Sequence, residues 1–259
     1  GNLKMKEEKT FTVIFDPANN GTISFDGLTE KAPAVISYVL MGVNGDWTTG
    51  IPMTVNPGNS NEYMLLNQPI FSATDSIKIV RLEDGQAKLW CGNVENSDIT
   101  IENNVNDNIV LKDGIYDFYY KVNDNKVYIA LVGYARNVTN TWGTICLPYA
   151  SSSFTGATFY EVSSLDSAKG LWLDQLAAGA QLEAGKPYIF QATATELAAY
   201  SDGTTAPAGN HNGLYGTFDD ETVVAAGNYI LLGNTLRPSD GEAKVNANRA
   251  YLVMSEVPV

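Results

Sequence analysis

Apolar and polar residues alternate along most of this chain, and turn-forming residues interrupt the alternation about every 8–12 residues. Thr10–Asp16 is β-branched and aromatic, and Pro17-Ala-Asn-Asn-Gly21 stops it. Val35–Gly42 is almost wholly apolar and predicts a buried strand. Asn44-Gly45 follows it, a pair that favours a hairpin-type turn because both residues tolerate positive φ. Glu62–Leu66, Ser76–Leu82 and Lys88–Cys91 predict short strands between Gly, Asn and Asp turns. The clearest two-residue period is in Ile115–Val122. There Tyr116, Phe118, Tyr120 and Val122 are predicted to face a core, with Asp117, Tyr119 and Lys121 toward water. Asn123-Asp-Asn125 then turns the chain into Lys126–Val132, completing a hairpin.

The second half repeats this grammar. Short strands are predicted at Gly143–Leu147, Thr158–Val162, Leu171–Asp174, Tyr188–Ala192, Tyr229–Leu232 and Arg249–Met254. Three are introduced alike, by Ala184-Gly-Lys-Pro-Tyr188, Ala226-Gly-Asn-Tyr229 and Ala247-Asn-Arg-Ala-Tyr251. In each, Gly or Asn supplies a positive φ, and a Tyr packs its ring while its hydroxyl finds a partner. Thr195–Tyr200 is a short helical candidate. Lysine is frequent before residue 133 and scarce after it, and Asn137 and Asn140 lie near that change. The expected organisation is all-β, with two β-sandwich-like domains in tandem over 10–132 and 133–259, behind a scar and linker at 1–9.

Composition narrows the function. A 259-residue chain that is 44% hydrophobic can bury a core, so disorder is excluded as its main state. Sixteen basic residues against 29 acidic ones leave a net charge of −13, which speaks against nucleic acid or an anionic membrane as partner. Both halves are acidic, so charge marks no binding face. No run approaches the roughly 18 apolar residues of a membrane helix, so no membrane insertion is expected. Gly1 reads as a cleavage scar, which predicts an exported chain whose signal or lipid anchor has been removed. Cys91 and Cys146 form no C-x-x-C motif and are expected as separate buried thiols.

Little of the side-chain chemistry is catalytic. The single histidine, His211, lies in the Gly/Asn-rich stretch 207–213 and is expected to be an exposed loop residue. The acids Glu95, Asp98 and Glu102 read as a solvated loop entering a strand, and Asp219-Asp220-Glu221 as a solvated turn. No cofactor and no metal site is expected. The tryptophans are more informative. Trp47 follows the Asn-Gly turn, and Trp90 ends a strand beside Cys91. In a regular strand those neighbours point to opposite faces, so a buried Cys91 means an exposed Trp90. An exposed indole offers a flat apolar face to the C–H surface of a sugar ring.

Asn44-Gly-Asp-Trp47, Asp75-Ser-Ile-Lys78-Ile-Val80, Lys88-Leu-Trp90, Asn106-Asp-Asn108-Ile-Val110 and Gly114-Ile-Tyr116-Asp-Phe-Tyr119 follow one another in a set order. Over about residues 35–131 this order resembles the starch- and glycogen-binding β-sandwich modules, with Phe11–Leu28 as an extra preceding segment. The resemblance implies a glucan site made by Trp47, Lys78, Trp90 and either Asn106 or Asn108. In the second half, Gly143-Thr-Ile-Cys-Leu-Pro148, Glu183-Ala-Gly-Lys-Pro-Tyr-Ile-Phe190, Asn212-Gly-Leu-Tyr-Gly-Thr-Phe218 and Asn248-Arg-Ala-Tyr-Leu252 resemble a C-terminal β domain of Bacteroidetes-type secreted and surface proteins. That implies an extracellular, cell-surface setting and no particular chemistry.

The expectation is thus a monomeric, non-enzymatic surface protein that binds a polysaccharide or oligosaccharide, an α-glucan first, on an aromatic platform. The alternative is a structural or adhesion protein whose tryptophans are core. A third reading, an accessory part of a glycoside hydrolase, stands behind both.

Overall fold

The alternating segments become antiparallel strands almost throughout a computed structural model that describes residues 12–18, 20–26, 33–71, 76–91, 102–103, 108–166 and 170–259. In chain order these are β1 Thr12–Asp16, β2 Thr22–Asp26, β3 Ile36–Met41, β4 Ile51–Pro52, β5 Thr54–Asn56, β6 Asn59–Ile70, β7 Ser76–Glu83, β8 Gln86–Cys91, β9 Glu102–Asn103, β10 Ile109–Val110, β11 Gly114–Lys121 and β12 Lys126–Asn137. The second half continues with β13 Trp142–Cys146, β14 Ser153–Thr155, β15 Ala157–Asp166, β16 Gly170–Gln175, β17 Pro187–Ala192, β18 Glu196–Tyr200, β19 Asn210–His211 and β20 Leu214–Thr217. β21 Thr222–Val223, β22 Tyr229–Leu232, β23 Thr235–Pro238, β24 Lys244–Val245 and β25 Arg249–Leu252 complete it. The fold is all-β and built from sandwich-like layers.

The first core lies between two sheets. One has the order β4-β3-β7-β10-β9, with β8 also paired to β7; the other runs β14-β18-β12-β11-β6-β5. Tyr38, Leu40, Ile77 and Ile79 come from the first sheet and meet Tyr116, Phe118, Tyr120, Val127 and Ile129 of the second. The period read from Ile115–Val122 thus lands as expected, with Tyr116, Phe118 and Tyr120 buried and Val122 packed against them. Two further cores occupy the second half. One joins Ile145, Phe159, Tyr188 and Phe190 to Leu197 and Ala199 of β18, and the other gathers Val162, Leu214, Ala250 and Leu252.

β12 links these cores. Its Val127 and Ile129 enter the first core; β12 then bulges at Val132, and beyond the bulge Tyr134 packs against the core that holds Leu197 and Ala199. Along its length β12 exchanges partners: Lys126 to Gly133 pair with β11, and Gly133 to Asn137 pair with β18. Gly133 faces Ile115 on one side and Tyr200 on the other. A Cβ there would run into the Ala199 carbonyl oxygen and the Ile115 side chain, so the crowding demands glycine. The composition boundary at residue 133 therefore falls inside a strand, and the chain passes between its halves as continuous sheet.

Two local expectations change. Residues 195–200 are not helical: Glu196–Tyr200 is β18, held between β12 and β14. Asn44-Gly45 does not close a two-residue hairpin but forms a single 3-10 turn, Val43–Gly45, with Asn44 at φ 53° and Gly45 at φ 74°. The turn chemistry of the second half holds, with positive φ at Gly185, Gly227 and Asn248. The Tyr188 hydroxyl accepts the Glu183 N–H at 3.0 Å. Cys146 is a buried free thiol.

Candidate functional site

Trp90 is placed by strand register. Its Cα pairs with Val80 on β7, Val80 pairs with Val39 on β3, and Lys78 pairs with Met41. Paired residues share a face, so Trp90, Val80, Val39, Lys78 and Met41 all lie on the side of the first sheet away from the core. Val39, Met41 and Val80 form a small buried cluster there. Trp90, on the outer strand of this group, remains 47% exposed.

Trp47 reaches the same face from a loop fixed by its neighbours. Gly42 adopts φ 92°, and a Cβ at that position would collide with the Ser76 carbonyl oxygen and the edge of the Trp47 ring. The Gly42 N–H donates to the Asp46 carbonyl at 2.7 Å, and the Asp46 N–H donates to the Val43 carbonyl at 3.1 Å. One Asp46 carboxylate oxygen then accepts the Thr48 N–H and hydroxyl, both at 2.8 Å, and the Thr49 N–H at 3.1 Å. These donors, the Thr48 and Thr49 N–H groups first, hold the Asp46 carboxyl down at about 2. Gly50 closes the loop against Val39 and Met41, from which an added Cβ would stand only 3.0 Å. The result is a rigid arm across the outer cluster, with Trp47 38% exposed at its tip.

The two indoles meet. Their ring centroids are 6.1 Å apart and their planes are inclined by 42°. That geometry lies in the range where aromatic rings attract one another, so each ring helps hold the other. Lys78, half-buried, stands two residues from Val80 on the same face, about 7 Å along the strand from the rung that carries Trp90. Asn108 precedes Ile109, whose Cα pairs with Ile77. Running that register on by one step sets Asn108 across from Lys78. Trp47, Lys78 and Trp90 of the expected set therefore share one outer face, and Asn108 stands at the end of β10 next to the Lys78 rung. Asn106 lies outside the described residues, as do Glu95 and Asp98.

The motif order points to the tryptophans but not to Gly42 and Asp46, which orient Trp47. A legible signal for Asp46 is the Asp-x-Thr-Thr spacing, which lets one carboxylate collect local N–H groups. Other sequence candidates have ordinary partners. His211 is not in a loop but on the short strand β19, half-buried, with Nε2 3.0 Å from a Glu161 carboxylate oxygen. Lys186 holds the other oxygen of Glu161 at 2.9 Å. Glu221 pairs with Lys244 at 2.9 Å, and Asp220 accepts the Ala247 N–H. Among the described residues, no helix is long and apolar enough to cross a membrane. The chain matches no known family model, no curated protein and no solved structure.

Proposed function

We propose that this chain is a non-catalytic carbohydrate-binding protein, with the Trp47–Trp90 pair as its platform and an α-glucan as the first candidate ligand. The observation that carries the reading is the pairing of two half-exposed indoles, 6.1 Å apart, on a preformed outer face. Exposed indoles cost stability in water unless they meet an apolar surface, and the C–H face of a sugar is such a surface. The 42° inclination suits a chain whose successive rings turn relative to one another, as α-linked glucose does, better than a flat ribbon. Lys78 and Asn108 stand beside the pair with groups able to bond sugar hydroxyls. Net charge of −13 suits a neutral ligand. An open face of this kind binds weakly, with Kd on the order of µM to mM. The second half serves as partner and spacer, and its sequence resemblance supports an exported, surface-held protein.

Affinity electrophoresis through amylopectin tests the reading. Wild-type protein is retarded and Trp90→Ala runs freely; a wild type unretarded by every α-glucan would end the proposal.

A further inference from the structure

Arg136 on β12 is 6% exposed, and its Nε and Nη1 have no hydrogen-bond partner. Its guanidinium lies over the Phe190 ring, 4.7 Å from the centroid, which satisfies one face of the group but none of its in-plane N–H donors. Arg249 on β25 is close enough to repel it: burial first, and the Arg136 charge second, hold its guanidinium below the usual range. Among the described residues no carboxylate forms an ion pair with either arginine. Two neighbouring guanidiniums with no ion-pair partner among the described residues are costly in any fold, and more conspicuous in a chain of net charge −13.

Both arginines line a cavity of about 640 Å³, within the size range of small-molecule sites and far larger than a single ion needs. Tyr134, Tyr149, Asn246 and Asn248 line it as well. The fixed negative groups on this lining are Asp113 and Asp220, and Asp220 already accepts the Ala247 N–H. Arginine forks match planar oxyanions, whereas tyrosine rings and amides match a hydroxylated ring.

We propose that Arg136 and Arg249 form the anion-recognising floor of a second ligand site, which takes a sugar-sized molecule bearing a carboxylate or phosphate group. It is separate from the tryptophan surface. Arg136 pairs with Leu197 and shares the face of β12 that packs toward the second half, while Trp47 and Trp90 lie on the outer face of the other sheet.

Calorimetry on the full chain at low ionic strength tests this with sodium galacturonate, glucose 6-phosphate, uncharged glucose and inorganic phosphate. At least one anionic sugar is expected to bind tenfold or more tighter than glucose and tighter than inorganic phosphate, and which one decides between carboxylate and phosphate. Arg249→Gln and Arg136→Gln each weaken it tenfold or more, with amylopectin retention within twofold of wild type. If Arg136→Gln does not fold, Arg249→Gln decides alone. Equal affinity for glucose and both anions, no binding of either anionic sugar, or binding that survives substitution would overturn the proposal. Preference for inorganic phosphate over both sugars would overturn it too.

Discussion

Val80 and Trp90 stand opposite each other on neighbouring strands, yet Val80 is wholly buried and Trp90 is 47% exposed. β7 carries β3 on its other side, so Val80 is flanked twice, while Trp90 is flanked once and by a smaller residue. This asymmetry makes Trp90→Ala informative. The substitution removes one stacking face and the ring contact with Trp47, worth about 0.5–1.5 kcal/mol. Amylopectin affinity should fall tenfold or more, about 1.4 kcal/mol, with a loss of stability that adds the buried half of the indole to the ring pair. Affinity electrophoresis and chemical denaturation measure the two effects, and a variant that binds normally would show that Trp90 is only a cover.

Asp46 separates charge from geometry. Its folded carboxyl titrates at about 2, below the ordinary 3.8, so its contribution to loop stability is fully present above pH 3.8. That contribution is lost as pH falls through 2. Glucan binding should therefore stay flat from neutral pH to about pH 4. Asp46→Asn keeps an acceptor oxygen for the Thr48 and Thr49 N–H groups, and Asp46→Ala keeps none. The alanine variant should bind several-fold more weakly than the asparagine variant, and equal affinities would remove Asp46 from the positioning of Trp47.

Gly42→Ala probes the same arm from its root. The backbone at φ 92° is strained for any L side chain, and the new methyl meets the Ser76 carbonyl oxygen. A loss of about 2 kcal/mol or more is expected, together with displacement of the Trp47 ring. Thermal unfolding and tryptophan fluorescence report the two effects, and an unchanged midpoint would refute the account of this turn.

The strand Tyr116–Lys121 is legible in the sequence because its fully buried side chains alternate with partly exposed ones, so side-chain polarity repeats with the pleat. β18 is not, because Leu197, Ala198 and Ala199 are all buried and no alternation is left to read. Its Glu, Leu and Ala favour a helix in isolation, and pairing with β12 and β14 overrides that preference. The tryptophan surface is legible through the order of short motifs. The arginine pair leaves no local trace, because Arg136 and Arg249 belong to distant strands and only the tertiary packing brings them together.

That pair also predicts a gain of stability. Arg136→Met keeps much of the side chain's volume over Phe190 and removes a buried, unpaired charge. Stability should rise by about 1–3 kcal/mol, read as a higher denaturation midpoint at unchanged m-value. A fall of that size would mean that the guanidinium is satisfied in the free protein.

Cys146 should be silent as a thiol. Burial pushes it up to about 11, and its Sγ lies 3.3 Å from the Gly185 carbonyl oxygen. In a Cys91→Ser background, iodoacetamide at pH 8 should modify the protein only after denaturant is added. Rapid labelling of the native chain would contradict that burial.

Gly133 is at once the last residue of β12 paired with β11 and the first paired with β18. A flexible joint conveys only proximity between the parts it connects. A shared strand conveys orientation, because turning one core against the other means breaking ladder hydrogen bonds rather than rotating about free dihedrals. If a surface or neighbour were to hold the second half, it would therefore also set the direction in which the two indoles face.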